Sequence, residues 1–219
     1  MPIHLYCLLR ASADASPPPD IEVVHIGEIA AWTSRTDQPR APRDIREGSR
    51  AVIEHDRIVG AALGAADAVI PATMSDPYDS TEALRADIAA HADRILAALV
   101  RVDGMVEMTT LLSAIEDAPS TSSAGAGRAY LESLRTRGAR AAEAARSVAR
   151  SLPWVSSQVR SPGDGRSAVS HLIPRGDVAR YRELMERLPK SDARAYVDGP
   201  RATYSFAVWS PRRGMILAD

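Results

Sequence analysis

Several residue types are scarce in this chain, and each scarcity removes a class of function. Its 219 residues include one lysine (Lys190), one phenylalanine (Phe206) and one cysteine (Cys7). A single thiol cannot form an internal disulfide. Cys7 lies inside the apolar run IHLYCLL, residues 3–9, where a cysteine behaves as a small hydrophobe, and a reducing cytoplasm fits. That run is too short for a membrane span, lacks a basic start and leads into SADASPPPD rather than a cleavage site. The sequence therefore predicts a protein that is neither exported nor membrane-inserted. An excess of charge is also missing. The 27 basic and 28 acidic residues leave a net charge of −1, without the electrostatic footprint of a nucleic-acid binder. Arginine supplies nearly all the positive charge, and beside so much alanine this fits codon bias, so the count carries no functional argument.

What is present is the composition of an ordinary globular protein, 45% apolar and 25% charged, in a chain long enough for one large domain or two of about 100 residues. Residues 3–9 and 21–26 (IEVVHI) read as strands separated by a loop whose three prolines preclude regular structure. Helical spacing of Val52, Val59 and Leu63 predicts a helix over about 44–63. DAVIPATM then predicts a buried strand from Ala68 to Thr73, with Pro71 near an edge or a bulge. The clearest helix is predicted over 80–101. Asp79 is its N-cap, Glu82 completes a capping box, and Leu84, Ile88, His91, Ile95, Leu99 and Val102 form its core-facing stripe.

GMVEMTTLL, residues 104–112, alternates as a strand does, and residues 118–127 (APSTSSAGAG) have linker composition. A long helix over 128–152 follows, marked by Tyr130, Leu131, Leu134, Val148 and Leu152. Strands at WVSSQV and SAVSHLI flank the turn SPGDG. A helix over 177–188 and the strand ARAYV complete the order β-α-β-β-α-β of a ferredoxin-like domain. The predicted fold is α+β with two domains, an N-terminal one over 1–102 and a C-terminal modified ferredoxin-like one over 103–219. DGPRATYSFAVW, residues 198–209, supplies or extends the last strand, with Tyr204, Phe206 and Val208 on one face and Ser205, Ala207 and Trp209 on the other.

The search for chemistry returns little. No GxSxG, Walker, GxGxxG or HExxH motif occurs, and His4, His25, His55, His91 and His171 show no pair at ligand spacing. His91 and His171 read as structural. Glu54, His55 and Asp56 are consecutive on a helix, diverge by about 100° each and read as a solvated face. Turn chemistry accounts for Asp164, and Asp192 and Asp198 flank a strand rather than form an acid–base pair. Cys7 as a nucleophile with His25 as its base is the remaining catalytic option, weighed against a buried, unactivated thiol. Catalytic residues, metal ligands and cofactors are accordingly predicted as none.

Five segments in order are similar to the gas vesicle GvpF/GvpL family: the first strand carrying Tyr6, HDRIV before VIPATM, VDGMVEM, GRAYLESLR and a terminal GPRATYSF. They run from about residue 3 to 206. Two segments depart from the family pattern. Ala72, Thr73 and Met74 stand where a sequence like RFG is usual, and Arg201, Ala202 and Thr203 replace a Trp-Pro-Pro. The resemblance implies a non-enzymatic gas vesicle structural or assembly protein, cytoplasmic and at the vesicle, whose partners are the small hydrophobic shell protein and other accessory vesicle proteins. It also makes Gly199, Pro200, Arg201 and Tyr204 the candidate partner-binding residues. A ligand-binding regulatory module on the same ferredoxin-like fold is the alternative reading.

Overall fold

The computed structural model describes residues 1–35, 45–74, 77–114, 126–151, 156–161, 166–187, 193–211 and 213–217. Most of the expected linker, 118–125, and turn residues 162–165 lie outside the described residues, as do Lys190, Asp164 and Asp192. The chain divides into two compact units, Met1–Val106 with Arg201–Asp219, and Glu107–Pro200.

In the first unit a four-stranded sheet has the order β2-β3-β1-β4, built from β1 (Ile3–Arg10), β2 (Glu22–Ile26), β3 (Ile29–Arg35) and β4 (Ile70–Pro71). β1 and β2 lie where the apolar runs place them, and Pro71 sits in the edge strand, where its missing N–H costs no ladder bond. β3 (IAAWTSR) was not apparent in the sequence. Its first five residues are all buried, so it lacks the one-sided alternation that reveals a half-exposed strand, and its alanines dilute the β signal. Gly27, at φ +56°, turns the chain from β2 into β3. β1 carries a bulge at Tyr6, between the pairs Leu5–Thr33 and Cys7–Trp32.

One face of this sheet packs Ile3, Leu5, Leu8 and Ala31 against Leu84, Ile88, Ile95 and Leu99, as the predicted stripe requires. The stripe belongs to two helices rather than one, α2 (Thr81–Ala90) and α3 (Ala92–Arg101), preceded in the chain by α1 (Ile45–Ala65). His91 is the break. Its N–H bonds back three residues to Ile88, and the Asp87 carbonyl that a continuous helix would have used accepts from the His91 ring Nδ1 at 2.8 Å instead. The N-cap is also one residue later than expected. Ser80 Oγ accepts from Ala83 N at 3.2 Å, so Glu82 falls one position short of a capping box. Ser80→Ala should therefore cost about 1 kcal/mol and Asp79→Ala less, which urea denaturation of the two variants measures.

In the second unit the sheet order is β6-β7-β5-β8, from β5 (Met105–Ala114), β6 (Ser156–Arg160), β7 (Arg166–Pro174) and β8 (Ala193–Arg201). Together with α4 (Ala126–Ser151) and α5 (Val178–Glu186) this is βαββαβ with the second, third, first and fourth strands side by side, the split βαβ arrangement. α4 is held by its C-terminal half, where Ala141, Ala142, Ala145 and Val148 are buried. Tyr130 and Leu131, expected on its buried stripe, are 60% and 58% exposed. The alanines make the contact face because they let helix and sheet backbones approach closely.

The C-terminus departs most from expectation. β8 ends at Arg201, residues 204–206 form a turn, and β9 (Ala207–Ser210) pairs with β10 (Gly214–Leu217) as a separate two-stranded ribbon. Tyr204 and Phe206 are thus turn residues rather than strand residues, and in β9 Ala207 and Trp209 are buried while Val208 is half-buried. Ala207 and Trp209 join the core of the first unit, to which the described residues from Arg201 onward belong rather than to the ferredoxin-like sheet. Thr203 closes the turn, its carbonyl accepting from Phe206 N at 2.9 Å and Ala207 N at 2.8 Å.

Candidate functional site

Each of the two segments that depart from the family pattern bonds to residues that lie close in sequence to the other. Thr73 N donates to Trp209 O at 2.7 Å, Ala72 bridges Trp209 in parallel, and Thr203 Oγ1 reaches the carbonyls of Val69 and Ala207 at 3.5 and 3.3 Å. Thr73 Oγ1 also lies 3.4 Å from Ser210 Oγ. The link between them runs through Val69, Trp209 and Ser210, which no linear reading of either segment could show.

Of the four candidate partner-binding residues, Arg201 and Tyr204 belong to this first-unit junction. Both are half-buried. Burial, then the Asp56 carboxylate on α1, pushes the Tyr204 phenol well above its ordinary range, and the Arg201 guanidinium nearby works against that shift. Gly199 and Pro200 are part of the second unit. Gly199 has φ +115°, and a Cβ there would stand 2.8 Å from the Glu107 carbonyl oxygen and 3.0 Å from Met108 Sδ. Glycine is required by the close approach of β8 to β5. The peptide to Pro200 is cis, Asp198 Oδ1 accepts from Gly199 N at 2.9 Å, and Arg182 Nη2 donates to Gly199 O at 2.8 Å.

The histidines divide differently from their sequence reading. His55, placed on a solvated face, is 3% exposed, while Glu54 and Asp56 on either side are exposed. Its Nδ1 lies 3.1 Å from His4 Nε2, fifty-one residues away in the chain, and its Nε2 lies 3.0 Å from the Ala72 carbonyl. The Tyr6 ring packs against both imidazoles. Burial, with His55 alongside, holds His4 down at about 4, and burial lowers His55 too, against the pull of the Ala72 carbonyl. The fold brings together two histidines that stand at no ligand spacing in the sequence and joins them by a hydrogen bond between β1 and α1.

His25 is exposed on β2, and β3 lies between it and β1, so it cannot serve Cys7 as a base. Cys7 is fully buried, and burial pushes its thiol far above the range in which a thiolate forms. Among the described residues no three of His, Cys, Asp and Glu converge as metal ligands, and no helix is long and apolar enough to cross a membrane.

In the second unit the buried Tyr181 hydroxyl bonds Thr110 Oγ1 at 2.8 Å and His171 Nδ1 at 2.9 Å, tying α5 to β5 and β7. Burial drops His171 to about 4 and lifts Tyr181 to about 12. A histidine that resists protonation only when folded makes stability constant above its unfolded value and lets it fall as the pH drops through the window from about 6.5 to 4. His171 alone should remove about 2 kcal/mol between pH 8 and pH 5, with His4 and His55 acting in the same direction. Denaturant midpoints across that range test this, and a flat profile would contradict it.

The family model described as gas vesicle synthesis protein GvpL/GvpF matches residues 2–208. No curated protein matches the chain. Among solved structures, the gas vesicle protein GvpF from Anabaena sp. PCC7120 superposes with a TM-score of 0.69 at 12% identity, over 93% of this chain and 94% of that one. GvpF from Microcystis aeruginosa gives 0.65 at 12% identity, over 93% and 98%. These likenesses establish a shared α+β fold.

Proposed function

The chain belongs to the gas vesicle synthesis protein GvpL/GvpF family, and from that premise we propose that it is a non-enzymatic structural or assembly protein of the gas vesicle, acting in the cytoplasm on the small hydrophobic shell protein and other accessory vesicle proteins. The observation that carries this reading is the match from residue 2 to 208, which takes in both units and the C-terminal junction. The burial of Cys7 and the distance of His25 from it support a role exercised through surfaces. A shell subunit with one strongly apolar face must be kept from aggregating until it joins the wall, and a folded adaptor serves that need without catalysis. Strand addition and the docking of an amphipathic helix are the two physical routes open to it.

Arg201 and Tyr204 are the partner-binding residues in this reading, with Gly199 and Pro200 setting the path of the chain before them. Because Arg201 is half-buried beside Tyr204, Arg201→Glu should cost about 0.5–3 kcal/mol of stability, stay folded, and abolish co-purification with the vesicle partner. The measurement pairs a melting temperature with the pull-down yield of tagged protein. Full recovery of partner by a folded Arg201→Glu protein would leave this stretch a structural role alone, and normal vesicles in a clean deletion strain would overturn the assembly role itself.

A further inference from the structure

The face of α4 that packs on its own sheet does not stop where the packing stops. Ala141, Ala145 and Val148 are buried where the helix meets β6 and β7, and Gly138 is buried one turn earlier. Leu131 stands seven residues before Gly138, and Tyr130 eleven before Ala141, so both return to the same side of the helix. Yet residues 128–133, 135 and 136 are all exposed. The interface established by the C-terminal half of α4 thus runs on, uncovered among the described residues, over roughly 15 Å of its N-terminal half.

The charges beside this face say what fits it. At about 100° per residue, Arg128 and Arg135 lie about 90–110° to one side of the Tyr130–Leu131 face and Arg137 about 70° to the other. Glu132, the one acidic residue in residues 126–137, lies about 150° away, on the far side. An apolar stripe bordered by arginines on both sides complements a helix whose own stripe is bordered by carboxylates. A second copy of this chain would instead set arginine against arginine, in either direction of packing. Tyr130 and Leu131 are the exposed large apolar residues of this half among the described ones, too few to hold a helix in a lipid surface.

We propose that the N-terminal half of α4 is a docking surface for an amphipathic helix of a partner protein, with aliphatic residues facing Tyr130 and Leu131 and glutamate or aspartate flanking them toward Arg128, Arg135 and Arg137. The partner helix extends the contact that β6 and β7 make with the rest of α4. Three turns of helix bury less than a standard interface, so the association is weak and salt-sensitive.

The test uses the purified full-length chain and a labelled three-heptad peptide with Leu at a and d and Glu at e and g, read by fluorescence anisotropy. A second peptide carries Lys at e and g. The Glu peptide should bind with a Kd of about 10–100 µM at low salt and the Lys peptide about tenfold more weakly or worse. Tyr130→Gln with Leu131→Gln, at two exposed positions, should leave the melting temperature unchanged and cost about tenfold in affinity for the Glu peptide. Arg128→Glu with Arg135→Glu should exchange the preference between the peptides. Equal binding of the two peptides, undiminished binding by the glutamine variant, or a Kd above about 1 mM would each overturn the surface. So would a dimer in sedimentation that the glutamine variant dissolves, which would give the face to a second copy, or tighter binding to phosphatidylglycerol vesicles than to the Glu peptide. α4 belongs to the second unit and Arg201 and Tyr204 to the first, so failure here leaves the vesicle role standing, and a failed pull-down of Arg201→Glu leaves this surface standing.

Discussion

Trp209→Ala should lower the stability of the first unit by about 3–5 kcal/mol, the cost of emptying a fully buried aromatic site. Trp209 is 0% exposed, contacts the core made by β1, α2 and α3, and donates its indole N–H to the Tyr78 hydroxyl at 3.0 Å. That hydroxyl in turn donates to the Asp87 carboxylate at 2.6 Å. Removing the indole strips Tyr78 of one partner and takes away the ring that meets His91 edge-to-face, centroids 5.4 Å apart, at the residue that breaks α2 from α3. Trp209→Phe separates the contributions, since it keeps most of the volume and loses the N–H; it should recover more than half of the deficit. Urea midpoints of the three proteins measure this. An alanine variant within about 1 kcal/mol of wild type would mean that the ribbon is dispensable to the core.

Phe206→Ala should cost about 3–5 kcal/mol as well, and for a reason different from the one its sequence setting suggests. The ring is 1% exposed, yet it sits in a turn and not in a strand of the ferredoxin-like sheet. The loss should therefore appear in the first unit, to which Arg201–Asp219 belongs. Hydrogen exchange resolves the location: amides of β1 and β4 should lose protection in the variant while those of β7 keep theirs. Loss confined to β7 would return Phe206 to the sheet where the sequence alone would put it.

How much of this was visible in the sequence varies with how local the signal is. The stripe of Leu84, Ile88, Ile95 and Leu99 is a property of a few turns of helix, and all four are buried as expected. The break at His91 is not, because it depends on an imidazole substituting for its own backbone N–H and on the groups packed over it. Gly214, at φ +74°, is one of those groups, since a Cβ there would come within 3.1 Å of the His91 ring. The βαββαβ order could be counted from the elements, whereas the fate of residues 201–217 depends on which sheet offers Trp209 a cavity. His55 is instructive in another way. Consecutive helical residues diverge by about 100°, so Glu54, His55 and Asp56 cannot share one proton, but the same divergence implies that one of the three can turn inward. Gly199, Pro200, Arg201 and Tyr204 were marked by resemblance and by no physical signal in the sequence.

The closing ribbon also bears on the order in which a ribosome delivers this protein. Synthesis delivers Trp209 and Met215, part of the core around Ile3, Leu5 and Leu8, only after all of residues 107–200 have been made. The half that emerges first must therefore wait, its aromatic site vacant, while residues 107–200 emerge in one continuous stretch and can fold as a unit during translation. A nascent chain that stalls or is truncated before residue 201 strands its own beginning, exposing the apolar face of β1 to whatever lies nearby. Completion of the first unit thus reports that the chain has been read through the second unit and on to Met215.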